Sequence, residues 1–134
     1  MAPPALAVRL WMSEEAMRAE FIGKTRDGHF RTGKTWTSTH LANGRSEFIY
    51  DGRTWLGHWT LRGRVFCTFG DPVTLPVLPN GCWSAVKVSA NCYEYYVVRP
   101  SGAEAAENAW TDSQWFARGR RREEPSTCTE TPSV

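Results

Sequence analysis

The chain has 134 residues, of which 41% are hydrophobic, 13% aromatic and 22% charged. This composition is typical of one globular domain rather than a disordered chain, and without an apolar run of about 18 residues no membrane span is expected. A formal net charge of +2 is too small to indicate nucleic-acid binding.

Residues 1–12 are predicted to be an N-terminal tail or the remnant of a targeting segment. A signal peptide needs a basic start and an uninterrupted apolar stretch. Here two adjacent prolines interrupt the apolar stretch, and no Lys or Arg precedes Arg9. Ala5-Leu6-Ala7 has the small-residue pattern of a cleavage site. Both a shortened targeting segment and a plain flexible tail fit this pattern.

A short helix is predicted over residues 13–22. Ser13 is a good N-cap, because its hydroxyl can accept a hydrogen bond from a backbone N–H of the first turn. Met12 and Met17 occupy the two positions of a hydrophobic staple. Gly23 can adopt the left-handed conformation that ends a helix.

From residue 28 to residue 102 the chain alternates between polar and apolar residues and is punctuated by turns. Asn43-Gly44 and Asp51-Gly52 are strong hairpin signals, since these residues tolerate positive φ. Six predicted strands cover residues 34–41, 46–50, 53–61, 64–69, 82–88 and 92–99, and residues 29–32 would add a seventh if they pair with a neighbour. We therefore predict an all-β fold, a small antiparallel meander barrel with a short N-terminal helix.

The predicted barrel forms one domain over residues 13–117. Residues 103–110 could be helical, because Ala105, Ala106 and Ala109 favour a helix there, whereas residues 114–117 could form a last barrel strand. Residues 118–134 are predicted to be a disordered tail, because basic residues are followed there by Glu, Ser, Thr and Pro.

The four cysteines bear on the cellular compartment. If the loop over residues 70–81 joins antiparallel neighbours, Cys67 faces Cys82 and the two can form a disulfide. Cys92 and Cys128 could form a second bridge, for which the register gives no argument. No Cys-x-x-Cys motif supports a metal site. Disulfides persist in oxidising compartments, and the alternative is four reduced thiols in a cytosolic protein.

Tryptophans and one histidine are the candidate ligand-binding residues. Trp36, Trp55 and Trp59, like Trp83, fall in predicted strands, where they fill a core or line a ligand cavity. His58 lies in the middle of a predicted strand, between Gly57 and Trp59, and its side chain could face the barrel lumen. The ligand-binding candidates are Trp36, Trp55, His58 and Trp59.

Two other patterns suggest chemistry. Glu94 lies in a tyrosine-rich strand, and an enzyme could use it together with His58. Residues 28–35 match the bare phosphate-loop pattern, but the residues that follow favour a strand, so the helix that must cradle a phosphate is missing. No cofactor is therefore predicted.

The order of these features resembles a family of small exported proteobacterial proteins, a domain of unknown function. Phe21-Ile22-Gly23-Lys24-Thr25 matches its first motif, and Gly57-His58-Trp59 followed by Cys67 matches its second. Cys82-Trp83 and the strand around Tyr93 complete the match, which covers residues 13–102. The resemblance implies a lipocalin-like barrel, export and a disulfide between the matched cysteines, but no activity. The additional Cys92 and the tail depart from the family pattern.

We expect a non-enzymatic binding module of the cell envelope that holds a small apolar ligand or a protein partner. One alternative is a structural accessory subunit of a larger complex, and another is an enzyme that uses His58 and Glu94. A periplasmic or secreted location follows from the expected disulfide, with a cytoplasmic location as the alternative.

Overall fold

A computed structural model describes residues 10–70, 81–99 and 110–129. It contains one helix, α1 (Glu14–Phe21). The strands are β1 (Thr25–Phe30), β2 (Thr35–His40), β3 (Arg45–Tyr50), β4 (Arg53–Arg62), β5 (Val65–Gly70), β6 (Gly81–Ser89), β7 (Cys92–Arg99), β8 (Trp110–Thr111) and β9 (Ala117–Arg121).

Eight of these strands form a closed antiparallel barrel. The strands β1 to β7 pair in chain order, and β9 pairs with both β7 and β1, which closes the sheet. The short β8 pairs with β7 alone. The prediction of a small antiparallel barrel with a short N-terminal helix is confirmed.

The helix α1 packs against one end of the barrel, called the base below. The Ser13 hydroxyl accepts a hydrogen bond from Ala16 N at 3.1 Å and caps the helix. Met12, Met17 and Phe21 are buried in the main core cluster, so the predicted staple residues contribute to the core. The base is therefore packed with side chains from the helix.

The N-terminal strand and the chain before the helix differ from the sequence prediction. β1 begins at Thr25, earlier than the predicted 29–32, and its first residues are polar rather than alternately apolar. Residues 1–9 of the predicted tail lie outside the described residues. Trp11 forms a β-bridge with Val86 and Met12 is buried, so residues 11–12 belong to the folded domain.

The predicted disordered tail over residues 118–134 is wrong for its first part. Ala117 and Gly119 face the interior, and the intervening Arg118 lies on the outer face, so residues 118–121 complete a barrel strand. Further along, Asn91 Nδ2 donates to the backbone carbonyl oxygens of Arg121 and Glu124, each at 3.0 Å. The predicted helix over residues 103–110 falls almost wholly outside the described residues, as do residues 130–134.

Two disulfides link the chain. Cys67 and Cys82 are register partners on β5 and β6, with Cα atoms 4.0 Å apart, and they form the predicted bridge. Cys92 and Cys128 form the second bridge, with Cα atoms 4.9 Å apart. The second bridge anchors the segment after β9 to the start of β7.

Candidate functional site

The inner faces of the strands line a partly open cavity of about 280 Å³. Hydroxyl groups of Ser38, Ser46 and Thr68 line part of it. The wall is mainly apolar and includes the aromatic rings of Phe30, Trp36, Phe48, Trp83, Tyr95 and Phe116. An apolar wall with a few polar groups is typical of small-molecule sites, which begin at about 300 Å³.

Trp36 occupies the cavity wall because two glycines leave room for its ring. A Cβ at Gly28 would lie 2.3 Å from Trp36 Cζ2, and a Cβ at Gly119 would lie 2.8 Å from Trp36 Cη2. The indole therefore lies against the backbone of β1 and β9. Its buried Nε1 has no hydrogen-bond partner among the described residues.

A buried arginine occupies the end of the cavity nearest to α1. Arg26 is 1% exposed and faces inward from β1. Its Nη1 donates to the Tyr95 hydroxyl at 2.8 Å, and its Nη2 donates to His40 Nδ1 at 2.8 Å. The guanidinium carbon lies 4.3 Å from the centre of the Phe21 ring. This arrangement fixes a cation at the base of an apolar cavity.

Both hydrogen-bond acceptors of Arg26 are held in their neutral forms. Burial lowers the pKa of His40 well below its usual value, and the positive charge of Arg26 lowers it further. Burial also raises the pKa of Tyr95 above its usual value, against the opposing effect of Arg26. Neither side chain therefore neutralises the guanidinium.

The predicted ligand-binding residues divide into three groups. Trp36 lines the cavity. Trp55 and Trp59 face inward from β4 but are not part of the cavity wall, and Trp59 Nε1 donates to the Leu41 carbonyl oxygen at 2.9 Å. His58 is exposed on the outer face of β4, where it stacks on Phe69 with ring centres 5.1 Å apart. The expectation that His58 faces the lumen is wrong, because the strand alternation turns it outward.

The carboxylate considered for catalysis is also on the outer face. Glu94 accepts hydrogen bonds from Arg118 Nη2 and, at 3.1 Å, from the Tyr96 hydroxyl. Neither Glu94 nor His58 lines the cavity.

Sequence reasoning missed the polar residues at the base of the cavity. A charged residue in a strand is placed outward by default, and β1 was not predicted to begin before residue 29. Alternation from the inward-facing Phe30 would have placed Gly28 and Arg26 on the same face. Strand alternation likewise places Tyr95 on the face opposite Glu94, but it does not identify Arg26 as the partner of Tyr95.

The phosphate-loop pattern and possible metal sites give no further candidate. Residues 28–35 form the hairpin between β1 and β2, and the segment continues as a strand, as predicted from its β-branched residues. Among the described residues, no group of three or more His, Cys, Asp or Glu side chains could hold a metal ion.

The chain matches no protein-family model, and no curated protein or solved structure shows significant similarity to it. The resemblance to the exported family therefore stays a prediction. In the described segments, the single helix is too short to cross a bilayer.

Proposed function

We propose that this chain is a non-enzymatic binding module of the cell envelope, whose barrel interior holds a small apolar ligand. The observation that carries the proposal is the aromatic-lined cavity of about 280 Å³. Protein interiors are close-packed and contain few voids larger than a water molecule, whose share of liquid volume is about 30 Å³. A cavity of this size in so small a domain is the feature expected of a ligand site.

Two unsatisfied donors in the wall support the same proposal. Buried polar groups are nearly always hydrogen-bonded, and each exception needs an explanation. Trp36 Nε1 and Arg26 Nε are both buried without a partner among the described residues. A ligand with an acceptor atom would satisfy such groups.

The proposed location rests on the disulfides. Both pairs of cysteines are bridged, and the described residues contain no free cysteine. Disulfides persist in oxidising compartments, such as the periplasm or the extracellular medium. Fractionation of the host cells should therefore place the mature protein outside the cytoplasm.

A series of straight-chain alcohols tests the cavity directly. Tryptophan fluorescence reports on binding because Trp36 and Trp83 line the wall. We expect saturable one-to-one binding with an optimum at a medium chain length. Ser46→Phe fills the cavity and should weaken binding about tenfold or more, since its new ring occupies the ligand volume. Glu47→Phe is the matched control, because Glu47 is exposed on the opposite face of the same strand.

Native mass spectrometry of protein purified from its host complements the titration. A retained small molecule supports the binding module. If no alcohol binds and the protein carries only another polypeptide, the alternative of a structural accessory subunit replaces this proposal.

A further inference from the structure

The charge of Arg26 is faced by the aromatic rings of Phe21, Trp83 and Tyr95, and by no carboxylate of the described segments. Among the described residues, no carboxylate forms an ion pair with Arg26, although it is 1% exposed. The guanidinium has five N–H groups, of which one is bonded to Tyr95 and one to His40. Its Nε has no partner among the described residues. An uncompensated buried charge is strongly unfavourable, so a group of opposite charge is expected nearby.

The charge of Arg121, unlike that of Arg26, is neutralised by a carboxylate. Arg121 on β9 is the register partner of Arg26. Its guanidinium contacts the carboxylate of Glu124 at 3.2 Å and donates to the Tyr93 hydroxyl at 3.0 Å. Two like charges therefore lie at adjacent positions of the base, and a carboxylate neutralises only Arg121.

We infer that Arg26 binds the head group of a carboxylate-bearing amphiphile, whose apolar tail occupies the rest of the cavity. This inference rests on the proposed function, because it specifies the chemical class of the ligand of the same cavity. A guanidinium binds a carboxylate through two parallel N–H···O hydrogen bonds, and Arg26 retains three N–H groups for this purpose.

The number of available cations favours a single negative charge on the ligand. The other arginine in the cavity wall is Arg99, and its side chain is paired with Asp112 at 2.8 and 3.1 Å. Arg26 is thus the one cation of the described wall that lacks an acidic partner. A doubly charged phosphate would require more positive charge than this wall offers.

The direction of the tail follows from the strand that carries the arginine. Arg26 and Phe30 lie four residues apart on the inner face of β1, which corresponds to about 13 Å along the strand. Phe48 and Phe116 line the cavity together with Phe30. A medium-length alkyl chain anchored at Arg26 would extend toward these rings.

The test compares three probes of equal length, decanoate, decanol and decylamine, on the full oxidised chain near neutral pH. Decanoate should bind about tenfold or more tighter than decanol, because a charge-assisted hydrogen bond forms in an apolar site. Decylamine should bind most weakly. The Nε–H resonance of Arg26 should shift with decanoate and not with decanol.

Variants separate the charge of Arg26 from the rest of the cavity. Arg26→Met keeps an unbranched side chain but removes the charge, so it should abolish the preference for decanoate while decanol still binds. Arg62→Met is the control, because Arg62 is an exposed arginine on β4. If Arg26→Met fails to fold, the head-group comparison and the resonance shift on the unmodified chain still decide.

The outcomes distinguish this inference from the proposed function. Equal affinities for decanoate and decanol would overturn the inference and leave the cavity as an apolar binding site, with Arg26 as a structural contact of α1. A failure of every probe to bind would overturn the proposed function itself.

Discussion

The buried His40 predicts a specific dependence of stability on pH. Its ring is 2% exposed and is surrounded by Phe66, Trp59 and Trp83, with Arg26 as the charged neighbour. The pKa of His40 lies well below its usual value of 6.5, because burial and the positive charge of Arg26 both disfavour the imidazolium. The native state therefore keeps this histidine neutral at pH values where the unfolded state protonates it.

The sign and size of the effect follow from proton linkage. Above about pH 6.5 both states carry a neutral ring, and His40 does not alter the free energy of unfolding. Below that pH the unfolded state binds a proton that the native state does not, so stability falls by up to about 1.4 kcal/mol per pH unit. For one proton, the loss between about pH 8 and pH 5 is about 2 kcal/mol.

The free energy of unfolding is measured by urea denaturation between these two pH values. The control is His40→Asn, whose side-chain oxygen can accept from Arg26 without titrating. The lowered pKa values of Asp27, Glu14 and Glu20 also reduce stability in acid, but mainly below about pH 5, where unfolded carboxyl groups protonate. If the native protein and the variant lose equal stability across the window, His40 is not the buried neutral base described here.

Three further predictions concern packing, cross-linking and nucleotides. Gly119→Ala should lower the free energy of unfolding by about 1–3 kcal/mol, because the added methyl group crowds the Trp36 ring. The loss should be clearly smaller when Trp36 is also replaced by Phe. Equal losses in urea denaturation would contradict the contact. Cys92 and Cys128 are 36 residues apart in sequence, so replacing both by Ser removes a cross-link that closes a long loop. The free energy of unfolding should fall by about 4 kcal/mol in the chain-entropy model. A loss under about 1 kcal/mol would show that this bridge is dispensable. Calorimetry with Mg-ATP should show no binding, and micromolar affinity abolished by Lys34→Ala would disprove that expectation.

The strand order of the barrel was predictable because local turn chemistry determines it. Asn43-Gly44 and Asp51-Gly52 adopt tight turns between paired strands, with positive φ at Gly44, Asp51 and Gly52. Each tight turn joins two strands that pair with each other, so a succession of such turns produces a meander. Cys67 and Cys82 were paired by the same reasoning.

The sequence allows a last barrel strand over residues 114–117, but the closing strand lies at Ala117–Arg121, where the composition is that of a solvated segment. Four of the five residues of β9 are arginine or glycine, which are not strand-forming by propensity. The strand forms because Gly119 leaves room for the Trp36 ring, and because β1 and β7 both offer edges with which it can pair. Both causes involve residues distant in sequence.

The site was missed for a related physical reason. Burying Arg26 is unfavourable unless acceptors are present, and these come from residues 14 and 69 positions further along the chain. His58 was a candidate because of its position between Gly57 and Trp59 in a predicted strand, yet adjacent residues of a strand face opposite sides, and Gly57 and Trp59 take the inner face. Local sequence therefore indicated the aromatic wall but not the polar end of the cavity.

The pairing of charges, rather than their number, distinguishes the candidate site from the rest of the barrel. The net charge of +2 gave no indication of an anionic ligand. At least five of the arginines in the described segments form ion pairs with carboxylates, as Arg121 does with Glu124 and Arg99 with Asp112. Arg26 forms no ion pair with a described carboxylate although it is 1% exposed, and a buried position is where an unpaired charge is most unfavourable. A purely structural role would be served as well by an apolar side chain against Phe21, without the burial of a charge. The retention of a charge inside an otherwise aromatic cavity is therefore best explained by a ligand that carries the opposite charge.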